Sequence, residues 1–405
     1  MSATMAVFAL VVIAFVALSA RAARAYVSAP MVFMLAGFVL GNTSFYDLEA
    51  TGIKAVAEAT LALLLFHGAA ELRPRDLFTE SFLTGRLLLV ALPMTVVGTF
   101  LLVRLLFPGI DVWLAVVLAA ALAPTDSTLS AATVLNPRVP TRVRRMLSLE
   151  SGLNDGLATP VVLFAIAAAA GISDGPGNSH GALRALLAVA IGVAFGSLTG
   201  RAAGRVLRTA RRRGWAEDNL LPLAVLVIPL LCYYGADVLG GNGFMAAFIA
   251  GTTYATTHAS AAEASGDLEL TRLTSALLAG AAWMLFGAAT ATYLASLVHW
   301  RTLLVAVLSL TVLRMAPVAL SLAGSGIRGP TRLFVGWFGP RGLPSVVFAL
   351  IANDALVGWP GADTVVATIA AAVVISVLAH GLTAPPWSES YAAWARRTAP
   401  PTETS

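Results

Sequence analysis

The stretch SLESGLNDGLATPVV, Ser148 to Val162, opens a long apolar run and carries two carboxylates, Glu150 and Asp155. A charged side chain within hydrocarbon costs roughly 2.5–3.5 kcal/mol on insertion scales, so both acids must face protein, water or an ion. Ser151 and Asp155 stand four residues apart and share one helical face, while Glu150 and Asn154 share the neighbouring face. With Thr125 and Asp126, which lie earlier in the chain at a broken helix, these residues supply carboxylate, hydroxyl, amide and freed carbonyl oxygens, a hard donor set suited to a small cation such as Na+.

The rest of the chain supplies the membrane. Of 405 residues, 58% are hydrophobic and only 12% charged, and the mean hydropathy is +0.83, far too apolar for a soluble protein of this length. Apolar runs of helix-spanning length fall at about 5–20, 27–41, 54–71, 86–107, 112–135, 147–171, 183–207, 219–239, 242–257, 274–298, 302–323, 331–352 and 363–384. Breakers lie between them: Pro108 with Gly109, SDGPGNSHG at 173–181, Gly240 with Gly241, and Gly358 to Gly361. The reading is an all-α polytopic membrane protein of about thirteen transmembrane helices.

Arginine placement tests that count. With the N-terminus outside, 20 of the 26 basic residues fall in inward loops, and Lys54, Arg104, Arg184 and Arg301 lie outside; Arg314 and Arg341 sit within or at the edge of a helix. The C-terminus is then cytoplasmic and the chain a multi-pass plasma-membrane protein. Lys54 is the sole lysine, an arginine bias that fits a GC-rich, bacterial genome. The basic residues follow the loops, not one aromatic-studded segment, so the high pI signals topology and no nucleic-acid partner. One cysteine, Cys232, allows no intramolecular disulfide and no thiolate cluster. The run from Met5 to Ala20 lacks a basic segment before it and reads as a helix, not a cleaved leader.

Six helices, a linker helix and six more imply inverted six-helix repeats, with the second set starting from the opposite face. The fifth helix carries Pro124, Thr125, Asp126 and Ser127 in mid-run, and the twelfth carries Gly339, Pro340, Arg341, Gly342 and Pro344. Both read as discontinuous helices, crossing near the midplane.

The motifs PTD at 124–126, ESGLNDG at 150–156 and GPRG at 339–342, in this order and on these helices, resemble the NhaP and NHE branch of the monovalent cation:proton antiporters. The resemblance covers nearly the whole membrane chain, although Ser127 stands where the family commonly has proline. It implies a homodimer whose core bundle (about 86–171 and 302–384) moves against a dimerisation bundle (about 5–71 and 183–298) within a membrane domain of residues 1–385, followed by a short cytoplasmic tail, 386–405. It further implies Asp155 as the residue that exchanges ion for proton, Asn154 as the asparagine of the family's Asn-Asp pair, and Glu150 with Arg314 as its structural ion pair.

Other positions keep two readings. Asp126 is an ion ligand or the cap of a broken helix. His67, alone on the third helix, is a hydrogen-bonded packing residue or part of the ion path. Arg341 guides ions at the inner mouth or neutralises carbonyls freed by the break. Gly192, Gly196, Gly200 and Gly204 mark close packing of the seventh helix within the protomer. GSGIRG (324–329) and GNSHG (177–181) match dinucleotide and hydrolase spacings, but neither follows a strand, and both are rejected. No G-x-x-x-x-G-K-[ST] motif or cofactor signature occurs. The tail is too short for a regulatory domain. The expected function is therefore electroneutral exchange of a monovalent cation, Na+ first, for H+, by a transporter and not an enzyme; the rival is a non-transporting ion-sensing or scaffolding subunit of similar fold.

Overall fold

A computed structural model describes residues 2–42, 50–71, 81–126, 129, 136–170, 179–257 and 261–398. Among them every regular element is helical. In chain order these are α1 (Ser2–Arg24), α2 (Ala29–Gly41), α3 (Ala50–Glu71), α4 (Ser81–Arg86), a π-turn (Leu87–Ala91), α5 (Leu92–Leu106), α6 (Val112–Ala121), α7 (Thr141–Ala169), α8 (Ser179–Arg212), α9 (Leu221–Val238), α10 (Gly243–Ala255), α11 (Ala261–Thr292), α12 (Leu294–Leu297), α13 (Trp300–Leu310), α14 (Val312–Ser321), α15 (Gly329–Trp337), α16 (Leu343–Ala355) and α17 (Ala362–Thr398).

Each apolar run read from the sequence carries a helix. Among the described residues nine helical spans are long and apolar enough to cross a membrane; Ala29–Gly41, Val112–Ala121, Gly243–Ala255 and Leu343–Ala355 are shorter apolar helices. Their outer faces are apolar too: Leu10, Ile13 and Val16 on α1, Leu101 and Leu105 on α5, and Leu186 and Leu198 on α8 are all exposed. Exposed leucines in such continuous stripes are what a helix presents to lipid.

Backbones approach closely where glycine allows it. A Cβ at Gly37 or Gly287 would run into the Met284 or Met34 carbonyl, which fixes α2 against α11. Along α8, Gly192, Gly196, Gly200 and Gly204 face Asn242, Ala246, Ala250 and Thr257 of α10 and its flanks. The four-residue glycine stripe is thus an intramolecular seam, as its spacing predicts.

Several boundaries differ from the sequence reading: the helices of the runs at 147–171 and 274–298 begin earlier, at Thr141 and Ala261, and three further differences have a local cause. The run at 302–323 is two helices, α13 and α14, joined at Thr311 (φ −109°, ψ −95°). The run at 86–107 begins earlier, at Ser81, and contains the π-turn, because Pro93 has no N–H for the Leu89 carbonyl and the Leu92 N–H reaches back to Leu87 instead. The last helix does not end near 384 but continues through Pro385 and Pro386 to Thr398. Tyr391 stacks on Phe334 with centroids 4.0 Å apart and shares a 2.9 Å hydrogen bond with Thr331, and Trp387 packs on Trp337. Residues 386–398 are therefore docked helix; aromatic side chains at 387, 391 and 394 recur on one face and bury it.

Candidate functional site

Asp111 starts α6, its carboxylate accepting the Trp113 and Leu114 N–H groups. The helix stops at Ala121, because Pro124 has no N–H to extend it and disfavours the helical conformation just before it. The carbonyls released there are all buried and all but one are seen to be claimed by side chains from elsewhere. Ser345 donates to the Ala121 carbonyl (2.7 Å), Arg341 to those of Ala123 and Pro124 (2.5 and 3.0 Å), and Ser151 to that of Thr125 (2.6 Å). Arg341 also donates to the Ser309 carbonyl, beside the end of α13 (3.2 Å).

The second break, Phe338 to Gly342, frees N–H groups at the start of α16. The Leu343 N–H donates to Asp126 Oδ2 (2.9 Å), while the Asp126 N–H donates to the Pro340 carbonyl (2.8 Å). Asp126 therefore caps a broken helix, though that of the second break, at the start of α16, and not its own. Both glycines of GPRG are sterically required: a Cβ at Gly342 would collide with the Asp126 carboxylate, and one at Gly339 with the Arg314 guanidinium and Thr125. Each break supplies the charge the other lacks, a guanidinium at the negative end of α6 and a carboxylate at the positive end of α16.

Glu150 on α7 and Arg314 on α14 form a bidentate pair at 2.5 and 2.9 Å, with side chains 2% and 1% exposed. At that burial neither charge is tolerable without the other.

Asn154 and Asp155 complete the cluster. Asn154 Nδ2 donates to Thr125 Oγ1 (2.8 Å), which joins α7 to the first break. Asn154 Oδ1 and Asp155 Oδ1, by contrast, are inaccessible and have no hydrogen-bond partner among the described residues. Asp155 lies close enough to Asp126 for the two carboxylates to interact electrostatically. The two oxygens, one of them on a carboxylate, are acceptors that a proton, a cation or another added donor can satisfy.

The residues named from the sequence thus gather at one place, with one exception and one relocation. His67 pairs with Glu71, one turn on, at 3.3 Å and makes no described contact with the cluster. Arg341 is fully buried on freed carbonyls and stands at no mouth. Ser127 lies outside the described residues, as do Arg73 and Arg75. Sequence reasoning missed Ser345, whose side chain serves the first break, and Ser376 and His380, whose side chains serve the second; the signal was a polar residue in an otherwise apolar helix.

Comparison with known proteins bears on the family and the fold. Residues 10–389 match a family model described as sodium/hydrogen exchanger, transmembrane. A Na+/H+ antiporter of Saccharomyces cerevisiae is 28% identical over 53% of this chain and 22% of its own length, and one of Schizosaccharomyces pombe is 26% identical over 74% and 66%. An uncharacterised Na+/H+ exchanger of Escherichia coli is 30% identical over 41% of this chain and 30% of its own. The chain therefore spans between about a fifth and two thirds of these relatives' length. The solved structure of the sodium proton antiporter MjNhaP1 from Methanocaldococcus jannaschii superposes with a TM-score of 0.80 at 19% identity, covering 97% of this chain and 99% of that one. The fold is thus shared with a polytopic membrane transporter. These relatives come from yeasts, a bacterium and an archaeon, so a bacterial origin does not follow from them.

Proposed function

The chain belongs to the sodium/hydrogen exchanger family of transmembrane proteins, and on that premise we propose that it is a secondary antiporter exchanging Na+, or a similar monovalent cation, for H+ with Asp155 as the shared site. The observation that carries the reading is that Asn154 Oδ1 and Asp155 Oδ1 are the buried side-chain acceptors of the cluster with no hydrogen-bond partner among the described residues. A carboxylate in that position holds either a proton or a cation, and exchange follows when it is presented to the two sides in turn. Asn154, Ser151 and Thr125 bring further oxygens to the same place.

One cation moves for one proton in this cycle. The Asn154 amide can coordinate a cation but carries no proton, Glu150 is held by Arg314, and Asp126 is committed to the Leu343 N–H. Asp155 alone then changes occupant, and transport is electroneutral. The chain crosses the plasma membrane thirteen times, N-terminus outside and C-terminus cytoplasmic, and functions as a homodimer in which helices 86–171 and 302–384 move against 5–71 and 183–298. Purified protein in liposomes loaded with a pH-sensitive dye tests this: external Na+ should alkalinise the lumen. Folded protein that leaves the lumen pH unmoved for every alkali cation would overturn exchange and leave an ion-sensing or scaffolding role.

A further inference from the structure

His380 on α17 is fully buried and is assigned no part in the exchange described above. Its place becomes intelligible from the hydrogen bond that the second break removes. In an unbroken helix the Arg341 N–H would donate to the Trp337 carbonyl four residues back. Here α15 ends at Trp337 and that bond is absent. The Arg341 N–H instead donates to Ser376 Oγ (2.7 Å), and the Trp337 carbonyl lies 3.0 Å from His380 Nε2. Ser376 and His380 are four residues apart on α17, so they share a face, and Ser376 Oγ lies 3.2 Å from His380 Nδ1.

One tautomer closes the path from the Arg341 N–H to the Trp337 carbonyl, and it leaves the contact between Nδ1 and the Ser376 backbone carbonyl without a proton. The Arg341 N–H donates to Ser376 Oγ, the Ser376 O–H donates to His380 Nδ1, and the Nε2–H of a neutral imidazole donates to the Trp337 carbonyl. The Trp337 carbonyl also accepts the Gly339 N–H (2.7 Å), and the Trp337 indole lies over the imidazole with centroids 4.9 Å apart. The Ser376 backbone carbonyl lies 3.0 Å from Nδ1 as well. The charged groups whose fields reach the ring are Arg341 and Arg314.

We propose that Ser376 and His380 form a two-residue relay inserted into the missing Arg341–Trp337 helical hydrogen bond, and that His380 is a positioning residue for the ion site. The relay holds the break open and fixes the backbone from which the Arg341 guanidinium reaches the Ala123 and Pro124 carbonyls. Those carbonyls immediately precede Thr125 and Asp126, so a shift of Arg341 is transmitted to the oxygens around Asp155. The functional half of this inference rests on the antiporter reading; the structural half does not.

The test uses the full chain and three variants, His380→Ala, His380→Gln and Ser376→Ala. Glutamine keeps one amide N–H for the Trp337 carbonyl and one carbonyl oxygen for Ser376. In liposomes the apparent KM for Na+ should rise about ten-fold in His380→Ala, the effect typical of removing a group that orients a ligand, with similar loss in Ser376→Ala and recovery to within about two-fold in His380→Gln. Amide hydrogen exchange over residues 338–345 in detergent should show protection lost in both alanine variants and kept in His380→Gln. An unchanged KM in folded His380→Ala, or a glutamine variant as impaired as alanine, would overturn the positioning role. Should the wild-type protein itself move no protons, the antiporter reading fails, and hydrogen exchange alone decides the relay: equal protection in all four proteins would refute it.

Discussion

The two helix breaks and the neighbouring Asn154–Asp155 step lie against one another, yet they treat their polar groups in opposite ways. At the breaks, buried carbonyls and N–H groups are claimed one by one by Arg341, Ser345, Ser151, Asp126 and Ser376. At Asn154 and Asp155, two inaccessible acceptor oxygens have no partner among the described residues, whereas at the breaks the side-chain atoms left so are the Nε donors of Arg314 and Arg341. The difference separates groups that hold the crossing together from groups that await a partner. Substitutions at the former should act on stability, and substitutions at the latter on transport.

The largest effect is expected at the Glu150–Arg314 pair, which lies on the structural side of that contrast. Removing either partner leaves a buried, uncompensated charge and should cost about 3–5 kcal/mol. Thermal unfolding of Glu150→Ala, Arg314→Ala and the double variant checks this, the double variant losing less than the sum of the two. Strict additivity would mean that the side chains do not interact.

Gly342→Ala comes next. The new methyl group meets the Asp126 carboxylate at the crossing, and overpacking of this kind costs roughly 1–3 kcal/mol. A melting temperature equal to the wild type would show the crossing to be looser than its geometry. A smaller change should follow Thr125→Val, which removes the acceptor for Asn154 Nδ2 and costs about 1 kcal/mol as a lost hydrogen bond. Because it also frees the amide to turn, Na+ affinity should fall along with stability, and an unaltered affinity would place Thr125 with the structural groups alone.

The smallest expected effect is of the membrane potential. If the groups at the breaks never titrate, no net charge moves, and a valinomycin-imposed K+ potential should leave the exchange rate unchanged. One uncompensated charge would couple to about 2.3 kcal/mol per 100 mV. A several-fold rate change with the sign of the potential would move Asp126 from the engaged set to the proton carriers.

What the sequence disclosed and what it hid follow from the same physics. Pro124 and the glycines and proline of GPRG announce both breaks, because no helix runs through them undisturbed. The Glu150–Arg314 pair was legible through the resemblance to the cation:proton antiporters, and the cost of burying either charge alone is the physical reason for it. Asp126 kept two readings because a carboxylate beside a break suits both a cation and a helix start, and only the fold brings Leu343 to it. Ser345, Ser376 and His380 escaped notice because lone hydroxyls and imidazoles are common in apolar helices, and their use depends on what a distant helix leaves unpaired. Thr311 gave no warning, since the run around it has no glycine and its nearest proline, Pro317, lies inside α14. The extension to Thr398 was masked by Pro385 and Pro386, which read as a stop, although the aromatic face that docks it was visible.

Asp155→Asn tests the account most directly. The substitution keeps the shape and removes the charge from a side chain whose Oδ1 has no partner to lose among the described residues. In liposomes matched for folded protein, the variant should keep the wild-type melting temperature to within a few degrees, as a loss of no more than about 1 kcal/mol implies. It should show no Na+-driven proton movement where the wild type shows it clearly. Robust exchange by Asp155→Asn would contradict the assignment of Asp155 as the residue that carries proton and cation in turn.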